Sequence, residues 1–107
     1  MAEDSFLLSM HQFKREMGCS KEDLVRWMPQ ALGDLYSAAT VVLDGQALLQ
    51  AENPLVEISG FSRPSRKIAL LHIPVLELNL VFSESLGSIK TEEALNRFDL
   101  YTRRGGG

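Results

Sequence analysis

One cysteine and two histidines have the most reactive side chains in this chain, and their settings bound the chemistry it can do. Cys19 directly precedes Ser20, which with Asp23 three residues on makes a capping-box-like helix start. A thiol at a helix N-terminus can have its pKa lowered by the dipole and act as a nucleophile. Its immediate basic neighbour is Lys21, and without a second cysteine there is no disulfide and no redox pair. The favoured expectation is therefore the plain one, a small residue filling a turn, with a reactive thiol as the alternative. His72 lies on the apolar parity of a strand-like run and is expected to be a core-edge residue bonded to a backbone carbonyl. Glu77 has the opposite parity, and His11 has only Glu16 near it, so neither histidine has metal-ligand spacing. No Ser-His-Asp order, P-loop or dinucleotide fingerprint is present. No cofactor, metal or catalytic residue is expected, and the sequence leans away from an enzyme without deciding the point.

The cations form two groups: Arg63, Arg66 and Lys67 in one stretch, and Arg97, Arg103 and Arg104 in another. Each reads as solvated charge. Brought together in space, they would suit phosphate or an acidic partner. The ending Arg103-Arg104-Gly105-Gly106-Gly107 resembles the tail of ubiquitin-like modifiers and sulfur carriers. The resemblance covers the tail alone and assigns no family. It implies a carrier that uses its terminal glycines, Gly106 and Gly107. Those proteins enter the tail from a strand, whereas a helix is expected here.

A chain of 107 residues with 45% hydrophobic and 23% charged residues is expected to be one globular domain over 1–107, flexible at 1–4 and 105–107. Eleven basic against 14 acidic residues give a net charge of −3, which weighs against general binding to nucleic acid or anionic membranes. The N-terminal MAEDSF carries acids where a signal peptide carries cations. The longest apolar run contains Lys67, His72, Pro74, Glu77 and Asn79, unlike a membrane span. The expected setting is cytoplasmic, with no membrane partner.

That run, residues 66–83, is the stretch that must position everything else. Ile68, Leu70, Leu76, Leu78, Leu80 and Phe82 share one parity, the period-two pattern of a strand with one face on a core. On the other parity Leu71, Ile73, Val75 and Val81 are also apolar, so that side is expected to need cover too. The buried parity continues through Pro74, which predicts one long strand bent or bulged there, with a two-strand meander as the alternative. Leu55–Phe61 predicts a strand joined to it by a loop at 62–65. Thr40–Leu43, Asp44-Gly45 and Gln46–Gln50 predict a second hairpin, with a helical turn as the alternative for Gln46–Gln50.

Before these, Phe6, Met10, Phe13 and Met17 recur at helical spacing and predict a helix from Ser5 to about Met17, stopped by Gly18. A second helix is predicted from Lys21 to about Met28, with a kink at Pro29 and an end at Gly33. Glu84–Lys90 predicts a loop, and Thr91 is expected to cap a last helix, Glu92–Arg103. The class is therefore α+β: two N-terminal helices, an antiparallel sheet of three to five strands centred on 66–83, and a C-terminal helix packed on it. The functional expectation is a non-catalytic binding or assembly module that meets a protein partner or a second copy. Its candidate contact residues are Leu71, Ile73, Val75, Val81 and the two arginine groups.

Overall fold

The computed structural model describes the backbone of residues 11–106 and the side chains of 11–102. Its order is β1 (Gln12–Met17), α1 (Lys21–Leu32), a 3-10 segment (Gly33–Ala38), β2 (Ala39–Leu43), β3 (Gln46–Leu49), β4 (Val56–Ile68), β5 (Leu71–Phe82), a 3-10 turn (Glu84–Leu86) and α2 (Gly87–Gly106). The five strands form one sheet in the order β1-β5-β4-β2-β3.

The class is α+β, with two corrections. The sheet is mixed, because β2 and β4 run parallel while the other pairs are antiparallel. The cause is local. Asp44 and Gly45 both take positive φ, 51° and 77°, as a two-residue hairpin of the primed type requires. β3 therefore returns the chain to where β2 began, and β4 enters on the other side of β2 in the same direction. Leu55 N–H donates to Ala38 C=O at 2.8 Å at that junction.

The second correction is that one α-helix, not two, precedes the sheet among the described residues. Residues 12–17 of the expected first helix form strand β1, and its residues 5–10 lie outside the described part. Phe13 and Met17 are four apart, a spacing that falls on one face in a helix and in a strand alike. The edge of β5 decides between them. β1 pairs along it from Gln12↔Val81 to Met17↔Leu76, and Phe13 meets Phe82 edge-on with ring centroids 5.9 Å apart.

Ser20 caps α1, its Oγ accepting from Asp23 N–H at 3.1 Å. The helix runs past Pro29 to Leu32. Proline removes one donor, but Met28, Ala31 and Leu32 are buried around it and hold the turn. Gly33 then ends the helix at φ 57°, its N–H donating to Pro29 C=O. At the other end of the chain α2 begins at Gly87, not Thr91. Ser83 caps the 3-10 turn that leads in, and Thr91 is buried inside the helix. Helical backbone continues through Gly105 to Gly106, so Gly105 is not its stop.

Both helices cover one face of the sheet. Leu24, Met28, Leu32 and Phe98 enclose a core with Leu76, Leu78, Leu80 and Phe82 of β5, and with Val56, Ile58, Val41 and Leu43 of the neighbouring strands. Arg15 fastens α2 to β1 through a two-point ion pair with Asp99, both contacts 2.9 Å. This hydrogen-bonded pairing holds the Arg15 pKa above its ordinary value against the opposing effect of partial burial.

Candidate functional site

The long run at 66–83 is split by a turn. β4 continues through the expected loop at 62–65 as far as Ile68, and β5 starts at Leu71. Between them Ala69 takes φ 55°, a left-handed value usually left to glycine or asparagine. The turn is therefore not announced by residue type. Leu70 consequently sits at the apex, 93% exposed, instead of in the core.

One bulge interrupts the β4–β5 ladder. The register passes from Arg63↔Val75 to Arg66↔Ile73, so Pro64 and Ser65 together oppose Pro74. Two prolines, neither with an N–H, thus share the single place where the ladder has an extra residue and needs fewer donors. The irregularity expected at Pro74 is a bulge whose extra residue lies in β4, opposite it.

Beyond this point, among the described residues, the two strands pair only with each other. β1 stops pairing at Leu76 and β2 at Gly60. The six residue steps from Leu76 to Leu70 carry the ribbon about 20 Å past the sheet at ~3.3 Å per residue, in a molecule with extents of 46 × 30 × 24 Å. Its base is held from two sides. Asp44 accepts from the Ser62 backbone N–H at 2.8 Å and from its hydroxyl at 2.7 Å, and Lys21 Nζ lies 3.1 Å away. Those hydrogen bonds and the lysine lower the Asp44 pKa to about 2. Farther out, Arg66 pairs with Glu16 at 2.9 Å.

Cross-strand partners share a face. Ile68 with Leu71, and Arg66 with Ile73, therefore make one side of the ribbon, and Lys67 with His72 the other. Ile68 is 51% and Leu71 65% exposed. By strand parity the first side continues the sheet face that no described helix covers. That face carries Glu57, Ser59 and Phe61 on β4 and Glu77, Asn79 and Val81 on β5. A shallow depression of about 560 Å³ runs across it, bounded by Lys14, Val42, Phe61 and Asn79. Gly60 lies at its margin, where an added Cβ would fall 2.1 Å from the Glu77 carbonyl oxygen, so only glycine fits there.

The candidate contact residues thus separate. Leu71 is exposed, Ile73 and Val81 are half-buried, and Val75 is buried in the chain itself. Phe61, Ile68 and Leu70 belong to the surface and were missing from the sequence-based set. The two arginine groups occupy different elements. Arg63 lies over Phe61 at 5.8 Å, whereas Arg97 donates to Gln30 C=O at 2.7 Å and lies over Tyr101 at 4.9 Å. Arg97 therefore clamps α2 to the end of α1. The side chains of Arg103 and Arg104 lie outside the described ones, as does Gly107.

Cys19 is buried, and desolvation, aided by the charge of Asp23, pushes its thiol up to about 11, opposite to an activated nucleophile. His72 is exposed on the ribbon, not bonded at a core edge. No cluster of three metal-ligating side chains occurs among the described residues, and no helix there is long and apolar enough to cross a membrane. No family model, curated protein or solved structure matches the chain.

Proposed function

We propose that this chain is a non-catalytic binding or assembly module whose working surface is the sheet face that no described helix covers, continued onto the β4–β5 ribbon. The observation that carries this reading is the ribbon tip, where Ile68, Leu70 and Leu71 stand together in solvent. Isolated apolar residues at a surface are ordinary, but a contiguous group on a protruding element favours a contact surface. The backbone supports the same reading. Ala69 holds a conformation costing about 1–2 kcal/mol for an L-residue, and strain of this kind is concentrated at contact and functional sites. A cytoplasmic setting goes with the proposal, since a lone reduced thiol such as Cys19 is the usual state there.

The test is cross-linking and mass spectrometry of the native chain beside Leu71→Lys in its own cell, with folding checked by circular dichroism. A partner lost in the variant while the fold is retained is the expected result. An unchanged cross-link pattern overturns the proposal. The carrier alternative requires an extended, threadable terminus, and helical backbone through Gly106 does not favour it. Intact mass of the native chain decides that alternative: an adenylate, thiocarboxylate or isopeptide shift at Gly107 would establish it.

A further inference from the structure

We infer that the partner of this surface is a second copy of the chain, each ribbon lying along the sheet face of the other that no described helix covers, in a reciprocal twofold dimer. The inference rests on the contact-module reading and adds the occupant.

Charge is the first ground. Residues 58–76 contain Arg63, Arg66 and Lys67 and no acid, so this segment carries +3 while the remainder of the chain carries −6. Arg63 and Arg66 lie on the side of the ribbon that bears Ile68 and Leu71, with Lys67 on the other side, so the surface that matches the docking side is acidic with apolar patches. The sheet face that no described helix covers has that balance, with Glu57 and Glu77 outnumbering Lys14 and set among Val42, Val81 and Phe61.

Length is the second ground. The ribbon from Leu70 to Leu76 has the same six-residue reach as the part of β5 from Leu76 to Phe82 inside the sheet. Aligned sheets pack face to face about 10 Å apart and within about 30°. A twofold axis crossing the strands at Leu76 reverses their direction and lays each ribbon over its partner's sheet along its full length. By register, Leu71 then falls over the partner's Val81 and Ile73 over the partner's Asn79, at the depression. Arg63, the cross-strand partner of Val75, falls over the partner's Phe61 and beside the partner's Glu77. An isologous arrangement makes each contact twice and closes the assembly at two.

Size is the third ground. Two ribbon footprints of about 20 by 10 Å, counted on both partners, give about 800 Å² in projection, below the ~1,200 Å² where stable specific interfaces begin and in the range of weak, transient contacts. The dimer is therefore reversible, and its equilibrium lies within reach of sedimentation measurements.

The experiment is sedimentation velocity over a wide concentration range, with folding of every variant checked by circular dichroism. The native chain is expected to shift from monomer to dimer. Leu71→Asp, Arg63→Glu and Glu77→Arg are each expected to weaken the dimer roughly tenfold or more, as central contacts do. An equimolar mixture of Arg63→Glu with Glu77→Arg is the decisive arm. Each variant alone opposes like charges twice, whereas the mixed pair restores both attractions. Recovery of the dimer in the mixture reports contact between chains, and no effect within one chain produces it. A dimer indifferent to all three variants overturns the inference, as does a mixture that recovers nothing. A strict monomer overturns it too. If that monomer still shows a heterologous cross-link that Leu71→Lys removes, the contact-module reading survives alone. If it shows none, both fall. A monomer that pellets with vesicles of phosphatidylcholine and phosphatidylserine assigns the tip to a lipid surface and overturns the dimer.

Discussion

Leu70 and Leu78 are the same residue type on the same parity, and alternation alone gives them the same surroundings. In the fold Leu78 is 1% exposed and Leu70 93%. Truncating both to alanine separates the two descriptions by magnitude. At Leu78 the lost transfer energy is about 1.5–3 kcal/mol, and the unfilled cavity raises the cost to about 2–5 kcal/mol. The upper half of that range is expected. Opposite Leu78 stands Gly60, which has no side chain to move into the space and is pressed against the β5 backbone. At Leu70 nothing buried is lost, and surface substitutions usually stay within about 0.5 kcal/mol. Each kcal/mol shifts Tm by about 4–8 °C in a domain of this size. Leu78→Ala should therefore melt at least ~10 °C below the native chain, and Leu70→Ala within a few degrees of it. Urea unfolding followed by far-UV circular dichroism, at concentrations where the chain is monomeric, gives both values with the m-value as a check on the unfolding transition. Equal losses would refute the placement of the turn at Ala69-Leu70 and restore a single strand through residues 66–83.

Ala69→Gly should stabilise the ribbon by about 0.5–1 kcal/mol, because relief of the positive φ exceeds the entropy glycine adds to the unfolded chain; slower hydrogen exchange at Lys67 and His72 is the readout, and faster exchange there contradicts it. Asp44→Asn should lower stability at neutral pH. The folded Asp44 pKa of about 2 lies below its ordinary value of 3.8, so its contribution is present above about pH 4 and is lost as pH falls through about 2. Denaturation of both proteins across that window should show the gap closing, and a gap that persists at pH 2 refutes the role given to Ser62 and Lys21. Cys19 should resist a thiol-specific disulfide reagent at pH 8 in the native chain and react at once in denaturant, since burial keeps it protonated; rapid native labelling would return it to the reactive reading.

Part of the capping and turn chemistry was legible residue by residue, though Thr91, expected to cap the last helix, lies inside it. Ser20 with Asp23 marked the start of α1, Asp44-Gly45 marked a hairpin, and Gly33 marked a helix end, because each residue type is selected for a local geometry. The alternation at Leu76, Leu78, Leu80 and Phe82 also marked the buried face. What stayed hidden is set by partners distant in sequence. Phe13 and Met17 fit either periodicity until β5 offers an edge, and β4 runs parallel to β2 only because β3 has already reversed the chain.

The turn at Ala69-Leu70 was hidden for another reason: neither residue is a turn former. A symmetry in the sequence nevertheless locates it. Pro64 and Pro74 lie five residues to either side of Ala69. Each lacks the donor that a ladder requires, and a hairpin satisfies both at once only by setting them opposite each other across one bulge. A single strand through 66–83 leaves Pro74 without that arrangement. A turn between Ile68 and Leu71 supplies it, and also places Ile68, Leu70 and Leu71 at the tip. Ile68 and Leu70, which read as core by alternation, are therefore, by the position of two prolines, available with Leu71 to a second chain.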